Sequence, residues 1–191
     1  MKTIETIVYD FDELDDAAKE KARAWYRDGA LDYEWWDSVY DCAREAGAAL
    51  GIIVDDIEFS GFYSYGDGAC FIGSYAYRKG WRAALRAISQ DPVLEDTGRR
   101  LQAAQRLVFY KGTATVVKTG HRYCDETSVR IDCDPDTATF TDAVTDALRD
   151  FMRWIYKSLE QEYEYLMSDE CVDDSIRAND YTFTADGRRF G

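Results

Sequence analysis

The chain has 191 residues, of which 46% are hydrophobic and 15% aromatic, with only two prolines. That composition excludes a disordered polypeptide and suits a packed globular protein, and the length suits one domain with a substantial core or two small ones. Its 37 acidic and 23 basic side chains give a net charge of −14, which disfavours direct binding to a phosphate backbone or to an anionic membrane surface.

The first β-prone run is Thr3 to Tyr9, where Ile4, Thr6 and Val8 alternate with Glu5, Ile7 and Tyr9, and it reads as a strand. A helix should follow, capped by Asp12 or Asp15, with Leu14, Ala18, Ala22 and Trp25 on one face and Gly29 at its end. Trp36, Val39, Tyr40, Ala43, Gly47 and Leu50 mark a second amphipathic helix, and Gly51 is placed as its stop. Two strands are expected at Ile52 to Phe59 and Ala69 to Arg78, around a glycine-rich loop. Helices are expected at Trp81 to Ser89 and Val93 to Ala104, separated by Asp91-Pro92. Arg106 to Lys118 and Arg122 to Cys133 read as a β-hairpin turning near Thr119-Gly120. Thr139 to Met167 carries the longest helical stripe, Asp169 to Asn179 a further helix, and Tyr181 to Phe190 a last hairpin turning at Ala185-Asp186-Gly187. The economical assembly is one α+β domain over residues 1–191, a mainly antiparallel sheet of about five strands with helices packed on one face.

The charge is uneven along the chain. Residues 1–60 carry 16 acids and 6 bases, residues 61–120 carry 4 and 9, and residues 121–191 carry 17 and 8, so acidic ends flank a basic middle. Absence of an 18-residue apolar run argues against a membrane span, and the early charges of MKTIETIVYDFDELDD argue against a signal peptide. Five irregularly spaced cysteines (Cys42, Cys70, Cys124, Cys133, Cys171) fit buried thiols in a reducing compartment, so a cytoplasmic location is expected.

Catalytic and metal motifs are weak. His121 and Cys124 form half of a zinc pattern with no second His and no CxxC, and no G-x-S-x-G elbow accompanies the single histidine. Asp132-x-Asp134-x-Asp136 lacks the Gly and Glu that a calcium loop requires, because Thr137 and Ala143 stand at those positions, and reads as turn and cap chemistry. The reading is therefore of a protein that is not an enzyme and holds neither metal nor cofactor. The loop SGFYSYGDGA lacks the order of a P-loop or a dinucleotide turn, leaving either a structural loop or a binding loop with Tyr63, Tyr65 and Asp67 as its candidates.

Two segments mix acids with large aromatics. In Asp32-Tyr33-Glu34-Trp35-Trp36-Asp37 the helical phase buries Trp36 and Tyr40 and leaves Glu34, Asp37, Asp41 and Trp35 outward. The tail of the long helix repeats the mixture through Glu160, Glu162 and Glu164, interleaved with Tyr163 and Tyr165. Helix-dipole stabilisation accounts for acids in a first turn, whereas an interaction surface for a basic partner accounts for acids together with aromatics.

Three blocks, FDELDDAAKEKARAWYRDGALDYEWWD, IEFSGFYSYGDGACFIGSYAYRKG and ANDYTFTADGRRFG, resemble in this order a family of small phage and prophage proteins commonly labelled "antitoxin of toxin-antitoxin system". The resemblance spans both ends and the middle but not Ala83 to Thr119, and Tyr63 and Tyr65 stand where Trp and Gln are expected. It implies a phage-encoded accessory protein acting in the host cytoplasm, similar in its acidity to anti-CRISPR proteins that mimic nucleic-acid phosphate. The expected partner is a bacterial protein or ribonucleoprotein complex with a basic surface, and the alternative is an antitoxin that neutralises a protein toxin by direct binding.

Overall fold

The computed structural model describes residues 5–120 and 123–191. Its elements are α+β with antiparallel pairing throughout, and they cluster into two compact units, Trp36–Glu160 and a smaller one built from the segments 1–35 and 161–191.

The larger unit holds a four-stranded sheet in the order β2-β3-β4-β5, with β2 at Ile52–Ser60, β3 at Gly68–Ala76, β4 at Thr113–Lys118 and β5 at Val129–Asp134. Glu58 pairs with Cys70, Gly73 with Val116, and Val116 with Ile131, which makes a meander with one crossover through helices between β3 and β4. Those helices are α3 (Trp81–Arg86) and α4 (Pro92–Leu107), and α2 (Asp37–Leu50) precedes the sheet. Asp91 caps α4 by accepting from the Val93 N–H at 2.8 Å, with Pro92 at the first helical position where its missing donor costs nothing. Helix α5 (Ala138–Leu166) buries Phe140, Val144, Leu148, Phe151, Met152, Ile155 and Leu159, the periodicity read from the sequence.

Gly51 ends α2 with φ at +88°, and its carbonyl accepts the Ala76 N–H at 3.0 Å. A Cβ there would overlap the Ala76 carbonyl oxygen. Gly51→Ala should therefore cost about 2 kcal/mol or more, the left-handed penalty plus the displacement of β3, read as a lowered urea midpoint. An unchanged midpoint would show that the helix stop tolerates a side chain.

Three segments depart from expectation. Val108-Phe109-Tyr110 is β-prone, yet α4 runs on to Leu107, Phe109 and Tyr110 take positive φ, and the strand starts only at Thr113. The cause is tertiary: the buried Gln105 amide bonds both the N–H and the carbonyl of Gly112, and the Gln105 carbonyl accepts from the Tyr110 N–H, which forces a tight turn. Of the strand expected over Arg122 to Cys133, Arg122 lies outside the described residues and the described part is a strand only at Val129–Asp134, preceded by a turn in which Asp125 accepts from the N–H and hydroxyl of Thr127 and the hydroxyl of Ser128. Helix α3 stops at Arg86 rather than Ser89.

The smaller unit contains β1 (Tyr9–Asp10) paired antiparallel with β6 (Thr182–Phe183), a 3-10 turn at Phe11–Glu13, α1 (Asp16–Gly29) and α6 (Asp169–Ala178). Asp15 caps α1 through the Ala18 N–H, and Ser168 caps α6 through the Cys171 N–H. Phe11, Leu14, Ala18, Ala22, Val172, Ile176 and Phe183 form its core. Of the strand expected from Thr3, the described part pairs only at Tyr9 and Asp10, and Thr3 and Ile4 lie outside the described residues. The C-terminal hairpin is reduced to β6, a bridge from Phe183 to Arg189, and the expected turn, closed by the Gly187 N–H on the Thr184 carbonyl.

Candidate functional site

In the smaller unit the two acidic-aromatic segments come together. The Trp35 ring lies 5.9 Å from that of Tyr163, which seats the chain after α1 beside the last turns of α5 and brings Glu34 to the segment carrying Glu162 and Glu164. Partial burial raises the Tyr33 phenol, with Tyr26, Cys171 and Glu162 adding to the shift, so Tyr33 stands in the same neighbourhood. Tyr33 and Tyr165 expose more than half of their surface. Trp35 corrects the outward position expected for it: it is only 8% exposed. Helix α2 begins at Asp37, so Trp35 sits in a turn, its N–H on the Tyr33 carbonyl at 2.8 Å, and the helical phase used to place it does not reach that far. Its ring holds the two segments together instead of offering contact area.

The negative charge concentrates in this unit. Its 66 residues carry 18 acids and 8 bases, a net −10, against 19 and 15, a net −4, for the larger unit. Three of its five arginines, Arg23, Arg27 and Arg177, are paired with its own acids, while the exposed Arg188 pairs with Asp186 and Arg189 lies over the Trp25 and Tyr181 rings. Arg23 grips Asp173 through two bonds of 2.6 and 2.7 Å and also pairs with Glu20, Arg27 bonds the Met167 carbonyl and Asp169, and Arg177 forks onto Asp12 and reaches Asp174. Among the described residues no ion pair engages Asp28, Asp32, Glu34, Glu162, Glu164 or Glu170. Unneutralised carboxylates therefore share a surface with exposed phenols.

In the larger unit the glycine-rich loop is folded around Asp67. One carboxylate oxygen accepts from the N–H groups of Tyr63 (2.9 Å) and Ser64 (2.6 Å), and Gly66 supplies φ of +88°. Because a carboxylate already occupies these N–H groups, the loop cannot offer them to a phosphate. Phe62 stacks between Phe59 and Tyr156, whose hydroxyl donates to the Gly61 carbonyl, while Tyr63 and Tyr65 project outward, the latter 98% exposed. Burial first, then Glu160, Asp67 and Tyr63, raise the Tyr156 phenol, so Glu160 faces this loop. Asp37 stands exposed in the first turn of α2, and the exposed Asp41 pairs with Arg44 at 3.2 Å.

Residues 35–169 match the family described as Domain of unknown function (DUF8835). The chain belongs to that family. No curated protein and no solved structure matches it. The DUF8835 match contains the whole larger unit and stops at Asp169, so α1, most of α6 and the terminal strands of this DUF8835 chain lie beyond it.

Among the described residues no group of three or more His, Cys, Asp or Glu side chains can hold a metal ion, and His121 lies outside the described residues. The acids of the Asp132 run have local partners, Arg130 with Asp132 and Thr141 with Asp136. One polar cluster was not legible beforehand. Lys118 of β4 reaches Glu58 of β2 at 2.6 Å and the sulfurs of Cys70 and Cys124 at 3.8 and 3.5 Å. Only the strand register joins residues so far apart in sequence.

Proposed function

We propose that this DUF8835 protein is a phage-encoded, non-enzymatic inhibitor of a bacterial defence system that works as anti-CRISPR proteins do, in the host cytoplasm. It binds a basic, nucleic-acid-binding surface of its target and displaces the nucleic acid. The observation that carries this reading is the smaller unit's net −10, in which Arg23, Arg27 and Arg177 are committed to internal pairs while the exposed Glu34 and Glu164 and the half-buried Glu162 carry no ion pair among the described residues and stand in the unit that exposes Tyr33 and Tyr165. Such a surface presents spaced carboxylates and π faces to an Arg/Lys groove, where charge speeds encounter and aromatics supply anchoring area. The larger unit adds the exposed Asp37, Asp41, Tyr63 and Tyr65 and the half-buried Glu160, with Asp41 paired to Arg44.

The test mixes the purified protein with a purified CRISPR effector carrying fluorescent target DNA. The expected result is a dose-dependent fall in anisotropy as the DNA leaves. Retention of the DNA with excess protein bound, or no binding at all, would contradict the reading.

A further inference from the structure

In the sheet of the larger unit, Cys70 on β3 pairs with Glu58 on β2, and Lys118 extends its ammonium from β4 between them. The β4–β5 connection brings Cys124 to the same ammonium, 3.5 Å away, with the Cys124 sulfur 3.6 Å from a Glu58 carboxylate oxygen. Cys70 is fully buried, Cys124 is partly exposed, and the Lys118 side chain is only 19% exposed. One desolvated cation thus touches two sulfurs that differ in their access to solvent. We propose that Cys124 and Cys70 form a peroxide-reactive thiol pair that closes to a disulfide, with Lys118 as the cation that directs the reaction to Cys124.

The chemistry follows from the placement. Peroxide reaches the partly exposed Cys124 first; its thiol gives up the proton to the Glu58 carboxylate 3.6 Å away, and the sulfur attacks one peroxide oxygen beside the Lys118 ammonium. The O–O bond breaks, hydroxide departs and takes a proton to become water, and Cys124 is left as a sulfenic acid. The Cys70 sulfur, on losing its proton, attacks the Cys124 sulfur. The S–O bond breaks and a second water leaves with that proton. Two thiols lose two electrons and hydrogen peroxide becomes two waters. Burial keeps the Cys70 sulfur from meeting peroxide first and pushes its thiol up to about 11, so closure of the disulfide is the slower of the two steps. Burial opposes the Lys118 charge, but the Glu58 hydrogen bond and the two sulfurs hold its protonation above the usual lysine range.

The bond would also reach the glycine-rich loop. The connection that carries Cys124 packs Tyr123 where a side chain at Gly66 would fall, and Asp125 where one at Gly68 would fall. A disulfide from this connection to β3 would pin the base of the loop that displays Tyr63 and Tyr65.

The test treats the reduced full-length protein with hydrogen peroxide, blocks free thiols with N-ethylmaleimide and maps the digest by mass spectrometry. A dithiothreitol-sensitive Cys70–Cys124 peptide pair is expected, while the exposed Cys42 stays blocked. Lys118→Met, which removes the only cation that contacts both sulfurs among the described residues, should slow Cys124 oxidation about tenfold, and Lys118→Arg should restore most of it. The proposal is overturned if Cys124 remains blocked while Cys42 is oxidised. It is equally overturned if Cys124 goes to the sulfinic acid with Cys70 free, or if Cys124 is found linked to Lys118. The peptide map of the unmodified sequence decides it even where a variant fails to fold.

Discussion

Replacing Phe151 with Ala should destabilise the larger unit by about 4 kcal/mol, the range for removing a buried aromatic from a tight core. The ring is fully buried, stacked on Trp154 at 5.7 Å and edge-on to Phe71 of β3 at 5.8 Å. On its third side lies Gly47 of α2, where a Cβ would stand 3.4 Å from the Phe151 ring and 3.0 Å from the Ile52 carbonyl oxygen. One ring therefore fills the junction of α5, β3 and α2, and because Gly47 holds that approach open with no side chain, truncation leaves a cavity with little able to collapse into it. Urea unfolding should show the loss as a lower midpoint with an unchanged slope. Phe151→Leu should recover more than half of it, and a loss below about 1 kcal/mol for the Ala variant would show that the junction repacks.

Arg23→Met is expected to cost about 2 kcal/mol in the smaller unit, by leaving a shielded carboxylate without its cation. Arg23 and Asp173 are 16% and 15% exposed and joined by two hydrogen bonds, and Asp173 has no second arginine at comparable range among the described residues. Asp173→Asn in the Arg23→Met background should recover part of the loss, since an uncharged amide is cheaper to shield. The surrounding acids set the sign of the pH response. Hydrogen bonds from Arg177 and Arg27 hold Asp12 and Asp169 below the usual carboxylate value of 3.8, so their stabilisation is complete above that value and is lost as pH falls through the lower, folded-state values. Thermal melts between pH 5 and 2 should show the decline beginning near pH 4 and continuing below it. A smaller unit that melts at constant temperature across that range would contradict the pairing.

Helices α1, α2 and α5 were legible because their apolar residues recur at helical spacing, with the cap Asp15 and the stop Gly51 acting within a few residues, whereas the Ser168 cap of α6 came only with the structure. The antiparallel pairing of β2 with β3 was legible for a similarly local reason, a glycine-rich turn between two β-prone runs. Phe109 and Tyr110 were not, since a buried glutamine three or more residues away dictates their turn. Glu34, Glu162 and Glu164 were recognised by composition, but as two patches. That they belong to one unit depends on the Trp35–Tyr163 contact, a pairing across more than a hundred residues of chain that no local pattern reports. The same contact accounts for the burial of Trp35, which lies before α2 and packs on Tyr163 rather than following the phase of that helix. Of the 33 acids in residues 1–60 and 121–191, 18 lie in the smaller unit, which gives that unit a net −10 over only 66 residues.

Binding is expected to reside in the carboxylates of the smaller unit that carry no ion pair among the described residues, Glu34, Glu162 and Glu164. The most direct test is the dissociation constant for the purified effector, measured by interferometry at several salt concentrations for the unmodified protein and for the combined variant Glu34→Lys, Glu162→Lys, Glu164→Lys. These sites are solvent-facing to half-buried, so circular dichroism should show the fold retained. The unmodified protein should bind more weakly as salt rises, and the variant should bind about 100-fold more weakly at low salt with little salt dependence left. Equal affinity of the two proteins, or binding of the unmodified protein that is indifferent to salt, would contradict the account.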